Sequence, residues 1–312
     1  MSIFKIHHIT RYEYDRPVKE SANEIKIFPY QCPDQEVLQH DLFITDHPDI
    51  QTFTDYYGNR AGLFNVLPPH KVLSIESKLL VRTTASSQLK INFHTGLDQL
   101  SAEMEGQLQL LELASRDMIK SQEAIDAIAA AIQRYDSIAA MVEHCSEYIF
   151  KHFKYIKGIT NVETTVDEIF QHRAGVCQDF AHIMLQVLRT CRIPCRYVSG
   201  YICPNKNGMR GEGATHAWVE AWIPGYGWAG IDPTNNVWVT NKHVKLSVGR
   251  HFSDCSPVKG TFKGPARQQL TVFVSVGYED GHIFEEMNNV HLHTEDRQPP
   301  EELLDGSFAG QQ

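Results

Sequence analysis

Between Gly175 and Asp232 the hydrophobic period changes once, from that of a helix to that of strands, and this change constrains the fold more than any other feature of the chain. After Cys177 the apolar residues Phe180, Ala181, Met184, Leu185, Val187 and Leu188 recur at helical spacing. The helix is expected to stop before Pro194, because proline has no N–H to donate and biases the residue ahead of it out of the helical region. Cys177 thus opens a helix. At such a position unpaired N–H groups and the positive end of the macrodipole favour thiolate over thiol, and cysteine pKa values fall to roughly 3.5–7.5.

Downstream, the runs 215–223 and 228–233 alternate around Pro224-Gly225-Tyr226-Gly227, which reads as a β-hairpin. A loop centred on Pro224 pairs His216 directly with Asp232. Opposed residues in an antiparallel pair have Cβ atoms about 4.5–5.5 Å apart, so the carboxylate can accept a hydrogen bond from one imidazole nitrogen and leave the other for Cys177. A register slip of one residue would put the two side chains on opposite faces. The order nucleophile, base, orienter is the logic of a nucleophilic cysteine enzyme.

Four blocks in this region resemble the core of the bacterial transglutaminase-like superfamily: residues 175–182, residues 192–201, His216-Ala217-Trp218, and Asp232-Pro233-Thr234. The likeness covers residues 153–263, with a weaker one in the N-terminal segment. It implies an α+β, papain-like fold with the helix bearing the cysteine packed on an antiparallel sheet, preceded by an N-terminal β-sandwich. It also implies a catalytic triad of Cys177, His216 and Asp232. Tyr155 falls where the family often keeps an aromatic near the oxyanion, and Gln178 and Trp218 are further candidates for contact with substrate or oxyanion. Cys195 departs from the alanine common in relatives and should be tolerated as a small buried residue. Many bacterial members of the family are regarded as cysteine proteases, so the resemblance implies attack on an amide or ester carbonyl, an acyl-thioester, and hydrolysis of a peptide or isopeptide bond. Transfer to a primary amine is the alternative, and a non-catalytic binding module a second one.

The rest of the chain fits that frame. Alternation in residues 3–15, with further strands expected at 23–28, 37–44, 51–56, 60–66 and 73–84, makes a β-sandwich over residues 1–90. Tyr57-Gly58-Asn59 supplies a hairpin turn. Residues 91–152 read as helices packing on the core, with Ser137 as an N-cap, and Thr164-Thr165 caps a short helix before Gly175, the residue expected to let the chain turn tightly. The catalytic core is placed at 153–265. The tail, 266–312, has a strand at 270–278, another near His291, and expected disorder from Gly306 to Gln312.

Composition excludes some functions. With 312 residues and a net charge of −9, there is no basic footprint for nucleic acid. No apolar run approaches the roughly 18 residues of a membrane span, and the first residues lack a signal pattern, so a cytoplasmic location without membrane contact is expected. Seven cysteines fit reduced thiols. His7 and His8 point to opposite faces of a strand and should not share a metal. Cys191, Cys195 and Cys203 lack a zinc spacing. Asp179 reads as a first-turn acid that complements the helix dipole. There is no EF-hand pattern, so no cofactor or metal is expected; the expected partner is a peptide or protein substrate, and the oligomeric state is open.

Overall fold

The computed structural model describes residues 2–84, 91–161, 163–203, 209–211 and 215–279, and the backbone of 283–290. The expected disorder at 306–312 and the strand near His291 lie outside these residues.

The first strands are β1 (Ser2–Val18), β2 (Ser21–Ile25), β3 (Gln35–Ile44), β4 (Gln51–Thr54), β5 (Arg60–Val66) and β6 (His70–Thr83). They divide between two antiparallel sheets, β1, β6 and β3 in one and β2, β5 and β4 in the other. In β1 alternate residues Phe4, Ile6, His8 and Thr10 are buried, as period-two patterning requires. His8 Nδ1 meets the Tyr201 hydroxyl at 2.8 Å, whereas His7 faces Glu76 on the other side.

Helices α1 (Leu97–Met104), α2 (Leu108–Leu113), α3 (Gln122–Ile132) and α4 (Ile138–His152) follow. The Ser137 hydroxyl accepts from Ala140 N and caps α4. Then come β7 (Lys154–Tyr155), α5 (Val166–His172), β8 (Ala174–Gly175) and α6 (Cys177–Thr190). Thr165 and Glu168 form a reciprocal capping box on α5. Residues Phe180, Ala181, Ile183, Met184, Leu185, Val187 and Leu188 of α6 are buried, so apolar side chains cover most of its circumference. A helix of that kind belongs inside a core, and α6 packs against α3, α4 and the sheet that follows.

That sheet comprises β9 (Cys195–Ile202), β10 (Thr215–Ile223), β11 (Gly227–Asp232), β12 (Val237–Trp238) and β13 (His243–Gly249), in the order β12-β11-β10-β9-β13. The short helix α7 (Phe252–Cys255) precedes β14 (Val258–Phe262), β15 (Gln268–Tyr278) and β16 (Ile283–Val290). These last strands return to the N-terminal sheets: β14 pairs with β2 and β15 with β1. The boundary at 265 therefore falls between two strands of the sandwich, because sheet membership is decided by the distant partner and not by proximity in sequence. Phe4, Ile6, Leu79 and Val81 of the sandwich pack against Tyr201, Val244 and Leu246 of the core sheet, joining the two layers. The architecture is mixed α+β with antiparallel sheets, as expected.

The β10–β11 register differs from the expected one. Val219 pairs with Ile231 and Ile223 with Gly227, which centres the hairpin on Gly225. Tyr226 N donates to Ile223 O at 3.0 Å, and Gly225 has φ of 75°. Pro224 and Gly225 thus fill the two central positions of a type II turn, which demands positive φ at the second. His216 is consequently diagonal to Asp232 and not opposite it. The shift is two residues, a full pleat period, so both side chains still share a face.

Candidate active site

Each polar group of the site is placed by the end of an element. Cys177 begins α6 and is half-buried; Val176 N, just ahead of it, donates to Asp179 Oδ2 at 2.7 Å. Asp179 also accepts from Thr160 Oγ1 at 2.6 Å, and burial nevertheless pushes its carboxyl above the ordinary range. This acid explains Gly175 differently from a tight turn: a Cβ at 175 would lie 2.4 Å from Asp179 Oδ2. Gly175 is needed for close approach, while its backbone pairs in parallel with Tyr155.

His216 stands near the start of β10 and Asp232 at the end of β11, both buried. His216 Nε2 lies 2.9 Å from Asp232 Oδ2. Side chains on diagonal positions can meet in this way because imidazole is long enough to span the larger separation. Asp232 Oδ2 also accepts from Asn235 Nδ2 at 2.7 Å, and Oδ1 accepts from Thr234 N at 2.9 Å and Asn235 N at 3.4 Å. Burial would raise the Asp232 pKa, but the charge and hydrogen bond of His216, with the His243 imidazole also facing the carboxylate, outweigh it and hold the carboxyl well below its usual range. Burial likewise opposes protonation of His216, and here too it loses: the charges of Asp232 and Cys177, with hydrogen bonds to both, push the imidazole up to about 10. Among the described residues, Nδ1, the nitrogen not used by Asp232, has no hydrogen-bond partner of ordinary geometry. Cys177 is near enough to act on the ring.

The structure brings together Cys177, His216 and Asp232, and distributes the other candidates around them. Tyr155, half-buried on β7, runs beside Gly175, and Gln178 follows Cys177 on α6. Trp218 is fully buried, so it lies beneath the site: its ring is 6.5 Å from that of His216 at an interplanar angle of 29°. Cys195 is buried and its Sγ points at Leu185 O, consistent with a small core residue. Cys203 packs in a different cluster from Cys191 and Cys195.

Asn235 and Gly211 carry no motif signal but complete the site. Asn235 Oδ1 accepts from Arg210 N at 2.8 Å while its Nδ2 donates to Arg210 O at 3.1 Å, so the side chain that holds Asp232 also docks residues 209–211. Gly211 has φ of 82°, and a Cβ there would sit 2.8 Å from His216 Nδ1. Gly211→Ala should therefore displace the imidazole and reduce turnover by roughly a hundredfold, since a shift of about 1 Å in a reacting group has that scale of effect. Steady-state kinetics on a variant with unchanged circular dichroism tests this; near-normal turnover would mean that the 211 backbone does not shape the site.

Residues 126–233 match the family described as the transglutaminase-like superfamily, and residues 4–82 match the bacterial transglutaminase-like N-terminal region. An uncharacterized protein of Mycobacterium leprae is 31% identical over 277 residues, covering 87% of this chain and 97% of the relative. The crystal structure of a protein from Cytophaga hutchinsonii, provisionally named a cysteine protease, superposes with a TM-score of 0.71 over 92% of this chain and 98% of that one. At 21% identity the likeness is one of fold. A Pseudomonas aeruginosa protein-glutamine gamma-glutamyltransferase is 27% identical over 206 residues, 63% of this chain but 28% of that larger protein. Among the described residues, no helix is long and apolar enough to cross a membrane.

Proposed function

Since this chain belongs to the transglutaminase-like superfamily, we propose that it is a cysteine-dependent enzyme that hydrolyses a peptide or isopeptide bond through an acyl-thioester. The observation that carries this reading is the 2.9 Å contact between His216 Nε2 and Asp232 Oδ2, with Nδ1 left for a cysteine at a helix start. His216 Nδ1 takes the proton of Cys177, and the thiolate attacks the substrate carbonyl carbon. The backbone N–H of Cys177 helps bind the oxyanion, with Tyr155 and Gln178 as candidate second donors. As the C–N bond breaks, His216 returns its proton to the leaving amine. Water then gives a proton to His216 and adds to the thioester, and collapse releases the acid and the Cys177 thiolate. Asp232 orients the ring and stabilises its charged form throughout.

The Pseudomonas relative's name favours a second reading, in which a primary amine replaces water at the thioester. Peptides and proteins incubated with the enzyme and a labelled primary amine separate the two. The expected products are cleaved chains without label, absent with Cys177→Ala. Predominant label incorporation would establish the amine as acceptor, and neither product would favour a binding module.

A further inference from the structure

His243 opens β13, three strand positions from Asp232 in the sheet order, a distance of about 14 Å in a flat sheet at the usual spacing. Its Nε2 nevertheless lies 3.6 Å from Asp232 Oδ2, and both side chains are fully buried. The sheet and the crossover through residues 239–242 curl far enough to bring the second histidine to the same carboxylate oxygen that His216 uses. His243 pairs with Ile202 and His216 with Gly200, so the two rings flank β9 two residues apart on one face. Trp218 packs against both, its ring centroid 5.3 Å from that of His243 and 6.5 Å from that of His216, and the two imidazole rings are themselves 6.4 Å apart. Glycine at 200 is what admits the indole: a Cβ there would come 2.6 Å from Trp218 Cη2.

The proton on His243 can be assigned from its neighbours. Thr240 N approaches Nδ1 at 3.4 Å and makes that nitrogen an acceptor, which in a neutral ring leaves the proton on Nε2. Among the described residues, Nε2 has no hydrogen bond of ordinary length. Burial, reinforced by the charge of His216, outweighs the attraction of Asp232 and lowers the His243 pKa, so this ring stays neutral while His216 carries the charge. The groups facing His243 are Asp232 from β11, His216 and Trp218 from β10, and the Thr240 backbone N–H from its own connection.

We propose that His243 is a positioning residue, a neutral Nε2–H donor that fixes the Asp232 carboxylate in the orientation that supports the His216 imidazolium. The inference rests on the Cys177–His216–Asp232 reading and deepens it. Thr234 N and Asn235 N hold Oδ1, while Oδ2 meets His216 and Asn235 Nδ2; a further donor reaching Oδ2 from the opposite edge of the same face adds to the resistance against rotation of the carboxylate. Two charged imidazoles on one carboxylate would repel, which is why the second must remain neutral.

The test is the rate of Cys177 alkylation by iodoacetamide at pH 6 relative to pH 9, with the full chain carrying His243→Phe, His243→Gln or His243→Asn. Phe removes the donor, Gln can still reach Asp232, and Asn is polar but too short. The relative rate at pH 6 should fall roughly tenfold to a hundredfold in the Phe and Asn variants and stay within about threefold of wild type in Gln, on the scale of one hydrogen bond to a charged group. Because unfolded chains expose an ordinary thiol and would lower this ratio too, only variants whose circular dichroism matches wild type at both pH values are compared. Wild-type ratios in folded Phe or Asn variants, or equal losses in Gln and Asn, would overturn the proposal; if Phe does not fold, the Gln and Asn pair decides. If instead the wild-type ratio is indifferent to His216→Ala, the triad reading itself falls and takes this inference with it.

Discussion

Replacing His216 by alanine is expected to lower turnover by roughly four to six orders of magnitude, the scale seen when a base that acts as one unit with its nucleophile is removed. The size follows from the loss of both steps at once, since the same ring takes the proton from Cys177 and returns it to the leaving amine. The fold should survive. Asp232 would keep Thr234 N, Asn235 N and Asn235 Nδ2 as donors, enough to prevent a bare buried charge. The variant should also reveal the linkage of His216 to stability. Its folded-state pKa is raised, so the contribution is fully present below the ordinary imidazole value of about 6.5 and is lost as pH climbs towards about 10. Thermal unfolding of the wild type should weaken across that window, and His216→Ala should flatten the dependence. Normal turnover in the variant would remove His216 from the mechanism.

Asp232→Asn should lower turnover by roughly three to four orders of magnitude, less completely than loss of His216. Asparagine keeps the shape but carries an amide nitrogen. Turned one way, that nitrogen confronts the backbone N–H groups of Thr234 and Asn235; turned the other, it confronts His216, Asn235 Nδ2 and His243. In the second orientation the amide would donate to His216 Nε2 and force the ring proton onto Nδ1, the nitrogen that must accept from Cys177. A stability loss of about 3 kcal/mol should accompany the change, because a buried charged partner has been removed. Kinetics together with urea unfolding measure both effects; turnover within tenfold of wild type would show that the charge of Asp232 is dispensable.

The helix at Cys177 was legible because apolar spacing and Pro194 mark its body and end, and the strands of the sandwich because alternation does the same. The meeting of His216 and Asp232 was legible only as a shared face. Turn chemistry at Pro224-Gly225 sets the register, and the two-residue difference left the face unchanged because it equals one pleat period. Three features had no local signal. The return of β14 and β15 to the N-terminal sheets depends on partners more than 200 positions away. The need for glycine at 175 arises from Asp179 folding back over it, and His243 reaches Asp232 only through the curl of the sheet. Sequence periodicity describes which face a residue takes, and these contacts depend on how faces are brought together.

The central claim is an activated Cys177–His216 pair, and the most direct measurement of it needs no substrate. Iodoacetamide modification, followed against pH and mapped by mass spectrometry to each cysteine, is compared between wild type and His216→Ala. The account predicts that Cys177 reacts rapidly at pH 6, where an unperturbed thiol with a pKa of about 8.5 is almost wholly protonated, and that this reactivity disappears without His216. A Cys177 that reacts only in alkaline solution, identically in both proteins, would contradict it.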